Sequence, residues 1–166
     1  PESTRMFAEA AEAGATVRRQ RDRNGPVVRE LGARLRATRP RGVLTCARGS
    51  SDHAATFGRY LIETRLGLLT TSVSPSIASV YGVETEPEIS VAATKSYIAA
   101  LAAQLHLVSE WAGDEALAAG LAALPDLLEQ AWSADWSPLV ERLRDARGLY
   151  VIGRGLGFGV AQEAAE

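Results

Sequence analysis

Cysteine is nearly absent from this chain. Cys46 is the only one in 166 residues, which excludes an internal disulfide framework and a zinc cluster built on cysteines. Histidine is scarce as well, and His53 and His106 are scattered without metal-ligand spacing, so neither a metal nor a cofactor is expected. No apolar run reaches the ~20 residues of a membrane span. The most apolar stretch, Tyr97 to Val108, is interrupted by Gln104 and His106, and no secretory signal is visible. Neither sign of charge dominates: 18 Lys plus Arg face 20 Asp plus Glu, a net charge of −2. No global field therefore draws nucleic acid or an anionic membrane, and an anionic substrate has to be held by local groups. These absences predict a cytoplasmic protein. The chain begins at Pro1, which reads as a trimmed or partial N-terminus.

What is present suits one globular domain with a sizeable core, since 46% of residues are hydrophobic and 23% charged. Arg5 to Ala13 and Val27 to Ala37 have helix-forming composition, the second opening with Pro26 after an Asn24-Gly25 breaker. Val43 to Ala47 is a short apolar, β-branched run that reads as a buried strand, followed by a polar turn and a helix from Asp52 to Glu63. Leu68 to Val73 is a second strand candidate, stopped by Pro75. Val91 to Trp111 carries apolar residues at spacings of three and four and reads as a core helix. Asp114 to Ala123 and Pro138 to Ala146 read as helices joined by a loop, and Gly148 to Gly153 as a last strand before a glycine-rich turn. Strands separated by helices predict an α/β fold with a parallel sheet, although the sheet is short of strands. The join from Tyr81 to Val91 supplies none.

Two stretches echo each other. Val43-Leu-Thr-Cys-Ala-Arg48-Gly49 and Tyr150-Val-Ile-Gly-Arg154-Gly155 both run from an apolar strand through an Arg-Gly pair towards an Ala-rich helix, as though a second unit began near the end of the chain.

The most informative segment is Cys46-Ala-Arg-Gly-Ser-Ser-Asp-His-Ala-Ala55. It sets Gly49, Ser50 and Ser51 between a strand and a helix N-terminus, where free backbone N–H groups and the positive end of the helix favour a phosphate or polyol. A plain helix cap by Ser51 or Asp52 explains the same residues equally well. Asp52 and His53 are adjacent and point about 100° apart on a helix, so they form no dyad, and a structural role is favoured for them. Arg48 and Arg154 suit either a phosphate or a carboxylate at a domain interface. Thr94 and Lys95 open the long helix, where Thr94 could face a cleft or serve as a cap. His106 reads as a hydrogen-bonded core histidine. The run Gly153 to Gly159 fails the dinucleotide G-x-G-x-x-G register in both frames. Arg18 to Arg23, interrupted by Asp22 and without interleaved aromatics, reads as a solvated helix end.

Taken together, four ordered motifs resemble the SIS (sugar isomerase) family. The resemblance is to the isomerase module of glutamine-fructose-6-phosphate transaminase and to stand-alone aminosugar-phosphate deaminases and isomerases. Cys46 to Ala55 resembles the family's first substrate loop, Ser74 to Tyr81 the segment after its second strand, Glu88 to Tyr97 the segment that closes over the sugar, and Val151 to Gly155 the opening of a second SIS unit. The resemblance implies a flavodoxin-like parallel sheet flanked by helices. A first SIS domain would cover residues 1–146 and a second would begin at 147–166. By the same resemblance Gly49, Ser50 and Ser51 would bind substrate, with Val91, Ala93 and Thr94 beside them. The family's Ser-Gln-Ser-Gly phosphate loop has no counterpart and would fall between Tyr81 and Glu88. The carboxylate base would follow Glu166, and Glu163 resembles the glutamate that precedes it, so no catalytic residue is assigned here.

The implied function is binding of a glucosamine-6-phosphate or fructose-6-phosphate type sugar. The intact protein would act as an isomerase, deaminase or aminotransferase-type enzyme, with a homodimer as the expected assembly. The alternative is a non-catalytic phosphosugar-binding SIS module.

Overall fold

A computed structural model describes residues 4–72 and 95–165. Its first departure from expectation is at Asn24-Gly25-Pro26. After a short helix α1 (Arg5–Ala11), capped by the Thr4 hydroxyl accepting from Phe7 N–H, one unbroken helix α2 (Ala13–Thr38) runs straight through the supposed breaker. Proline removes one backbone donor and disfavours a helix interior. Tertiary packing outweighs that cost: Gly25 and Gly32 are buried, and α2 lies along the central helix α4 (Lys95–Ala112). The arginine cluster is accordingly mid-helix. Arg18 reaches Asp126 at 3.0 Å and Glu129 at 2.9 Å on α5 (Glu115–Trp132), so it bridges helices instead of ending one. At this exposure the pairs contribute about 0–1 kcal/mol each.

From Arg39, whose left-handed backbone closes α2, the chain enters β1 (Val43–Thr45). Helix α3 (Ser50–Leu66) follows and stops at Gly67, again left-handed, before β2 (Thr70–Ser72). The two strands pair in parallel with Val43 opposite Thr70 and Thr45 opposite Ser72. Among the described residues this is the whole sheet, a small two-stranded β-α-β core in a mostly helical chain where a flavodoxin-like layer of parallel strands was expected.

The segment Gly148 to Gly153, expected as a strand, has no regular structure, and Tyr150 and Ile152 are 99% and 92% exposed. Among the described residues this run of β-formers joins no ladder, and strand propensity needs a partner to act. Helix α5 also runs on to Trp132 through Pro125, where a loop was expected after Ala123, because Leu124 and Leu128 pack against Val17, Ala102 and Leu121, which outweighs the donor the proline removes. Asp114 caps it, its carboxylate accepting from Ala116 and Leu117 N–H at 3.0 Å. Helices α6 (Ser137–Leu143) and α7 (Gly157–Ala165) complete the chain.

The core forms on both sides of α4. Val17, Ala102 and Leu121 bring α2, α4 and α5 together, while Leu61, Ile62 and Val108 join α3 to α4, with Leu105 packing against both groups. Helix α7 packs on α3. No described helix is long and apolar enough to cross a membrane.

His106 is buried, at 7% exposure, as its apolar surroundings predict. Burial pushes its pKa below the ordinary 6.5; the Arg29 and Arg21 guanidiniums push the same way and Glu110 partly offsets them. Protonation is therefore easier in the unfolded chain, and stability is lost as pH falls through the unfolded value near 6.5. In urea unfolding from pH 7.5 to 5.5, the stability of wild type relative to His106→Gln should fall. A difference that stays flat or rises would refute this.

Candidate functional site

The site begins where β1 gives way to α3. Gly49 adopts φ 55° and ψ −141°, a backbone that an L side chain strains to reach, while a Cβ there would meet nothing. The glycine is required by the turn itself, not by crowding. Asp52 N–H and His53 N–H turn back to the Gly49 carbonyl at 2.8 and 3.4 Å. The N–H groups of Ser50 and Ser51 have no backbone acceptor among the described residues, as the first turn of a helix dictates. Ser51 is exposed. Two free N–H groups, two hydroxyls and the positive helix end thus meet at one point, an arrangement that can hold a phosphate or a hydroxylated ligand.

Helix α7 comes back against this turn. A Cβ on Gly159 would clash with the His53 carbonyl oxygen and sit 3.3 Å from Phe57 N, so only glycine permits the approach. One helical turn further, the Glu163 carboxylate (Oε2) lies 2.8 Å from His53 Nδ1, both side chains being largely buried at 18% and 12% exposure. The spacing of four puts Gly159 and Glu163 on one face of α7. The glycine lets the helices touch, and the glutamate locks the histidine ring.

Around this junction lie polar groups without partners. Tyr97, near the start of α4, is buried and its hydroxyl has no hydrogen-bond partner among the described residues; the same holds for Gln162 Oε1 on α7. Burial, with Glu163 adding to it, pushes the Tyr97 hydroxyl above its ordinary 10.0, so it stays a donor at neutral pH.

Of the residues expected from sequence, Gly49, Ser50 and Ser51 lie together at the α3 turn. Val91, Ala93 and Thr94, like the segment between Tyr81 and Glu88, lie outside the described residues. Arg48 and Arg154 are exposed, and neither enters an ion pair among the described residues. Lys95 pairs with Glu12 at 3.2 Å and Glu9 at 3.8 Å. Among the described residues no three His, Cys, Asp or Glu side chains cluster as metal ligands.

The His53–Glu163 contact was not foreseen, since 110 residues separate the two. A signal for it existed in the internal echo. The position four after each Arg-Gly pair is His53 in the first copy and Gly159 in the second, and those two positions are where α3 and α7 touch.

Neither a family model nor a curated protein sequence matches the chain. Among solved structures, it is similar to a crystal structure from Silicibacter pomeroyi DSS-3 assigned as a phosphosugar isomerase. The TM-score is 0.88 and the identity 30%, over 98% of this chain and 67% of that one. This chain belongs to the phosphosugar isomerase family.

Proposed function

We propose that this chain binds a phosphorylated hexose or hexosamine at the α3 turn, and that the intact protein isomerises or deaminates it. The observation that carries the reading is Gly49-Ser50-Ser51 at the start of α3, with uncommitted N–H groups, directly preceding a His53 held by Glu163. Ser51 supplies a hydroxyl contact to the sugar, and Gly49 lets the backbone approach it. Aldose–ketose isomerisation moves a proton between C1 and C2 of the opened sugar, which needs a carboxylate base and groups that polarise the oxygens. His53 and Glu163 are assigned to positioning the turn, because their mutual contact leaves neither directed at a substrate carbon. Residues 1–146 form the first of two SIS units, with residues 147–166 opening the second, and the protein works in the cytoplasm as a homodimer.

Ser51→Ala should weaken binding of glucosamine 6-phosphate or fructose 6-phosphate by ~1 kcal/mol, about fivefold, with the circular dichroism spectrum unchanged. Isothermal titration of both proteins measures it, and equal affinities would sink the assignment of Ser51. Binding without turnover of either sugar by the intact protein would favour the non-catalytic phosphosugar-binding module.

A further inference from the structure

A second concave region shares no residue with the α3 turn. A cleft of about 460 Å³ opens between α2, α4 and α5, bordered by Arg21, Asp22, Arg29, His106 and Glu110. Its charged groups are differently committed. Arg21 is spent on Asp22 at 3.2 Å and on the Ala122 carbonyl at 3.3 Å. Arg29 enters no ion pair or hydrogen bond among the described residues, and neither does the Glu110 carboxylate, although the Glu110 carbonyl accepts from Arg36. Pro26, which also borders the cleft, has no N–H to donate to the Asp22 carbonyl four residues back. His106, more than nine-tenths buried, also borders it. α5 contributes only apolar lining.

One internal pair is thus neutralised, while an unpaired cation and an unpaired anion border the same space without meeting. A simple anion would be drawn to Arg29 and repelled by Glu110, and a simple amine the reverse. A ligand carrying both charges satisfies both walls, and its anionic group can be a phosphate or a carboxylate. The imidazole, its pKa lowered by burial and by the two arginines against the opposing Glu110 carboxylate, offers one donor or acceptor to a hydroxyl between the charges. The volume is within the ~300–1,000 Å³ usual for small-molecule sites.

We propose that this cleft is a second small-molecule site, specific for a zwitterion whose acidic group meets Arg29 and whose ammonium meets Glu110. It uses none of the residues of the proposed sugar-phosphate site and does not depend on that reading.

The chain has two histidines, so each region carries its own reporter: His53 at the α3 turn and His106 in the cleft. The imidazole resonances of the full chain can be followed by NMR during titration with glucosamine 6-phosphate, glucose 6-phosphate and glucosamine, which present both charges, the anion alone and the cation alone. The expected result is a saturable shift of His106 with glucosamine 6-phosphate at least ~10-fold tighter than with either single-charge probe, as befits loss of one charged contact. Arg29→Ala and Glu110→Gln should each weaken that His106 response by ~10-fold and leave the His53 response unchanged. A motionless His106, a response as strong to glucose 6-phosphate, or undiminished binding in both variants would overturn the inference. A silent His53 beside a responding His106 would instead count against the proposed sugar-phosphate site and leave this one standing.

Discussion

Gly159→Ala should detach α7 from α3 and break the His53–Glu163 contact with a single methyl group. The added Cβ would be forced onto the His53 carbonyl oxygen, 3.3 Å from the His53 carbonyl carbon and 3.3 Å from Phe57 N. All three are backbone atoms inside α3, so no side chain can swing aside to make room. Helix α7 has to move outward, and the 2.8 Å contact between Nδ1 and Oε2 cannot survive much displacement. Overpacking of this kind costs about 1–3 kcal/mol. The effect should concentrate in α7, whose amides should exchange with solvent much faster, and in affinity at the proposed sugar-phosphate site on the neighbouring turn. Gly58 offers a contrast, since a Cβ there meets only the flexible Gln104 side chain, and Gly58→Ala should be milder. If Gly159→Ala leaves α7 exchange and the His53 resonance as in wild type, the close approach has been misjudged.

Leu61→Ala should be among the most destabilising single truncations in the chain. Leu61 is fully buried, in the cluster with Ile62 and Val108 that holds α3 against α4. Removing its isobutyl group loses transfer free energy and leaves a cavity that neighbours fill only in part, costing about 2–5 kcal/mol. For a chain of this size that corresponds to a fall in Tm of roughly 4–20 °C. Leu69, 77% exposed beside β2, is the control, where the same change should stay within about 0.5 kcal/mol. Comparable losses at both positions would mean that the core does not lie where α3 meets α4. Because α3 presents the Gly49-Ser50-Ser51 turn, Leu61→Ala should also loosen the proposed binding site without touching it.

Much of this was legible before any coordinates. The strand, glycine turn and helix from Val43 onward are written in local chemistry: β-branched residues, a glycine where the backbone turns positive, and serines at the helix start. The central helix was visible in the spacing of Ile98, Leu101, Leu105 and Val108. Local rules failed where a distant partner overruled them. Asn24-Gly25-Pro26 spells a break, yet α2 continues because α4 rewards a straight helix with buried area. Gly148 to Gly153 spells a strand, yet among the described residues it has none of the backbone partners that make one.

The sequence by itself determined the β-α-β turn, the candidate serines and the family resemblance, because these depend on residues within a few positions of one another. Tertiary structure alone decided that Glu163 meets His53, that Arg18 bridges to α5, and that Arg29, Glu110 and His106 border one cleft. Each of those joins side chains on different helices. Their proximity depends on how whole helices pack, through contacts such as Gly159 on the His53 carbonyl, and no local pattern encodes that distance.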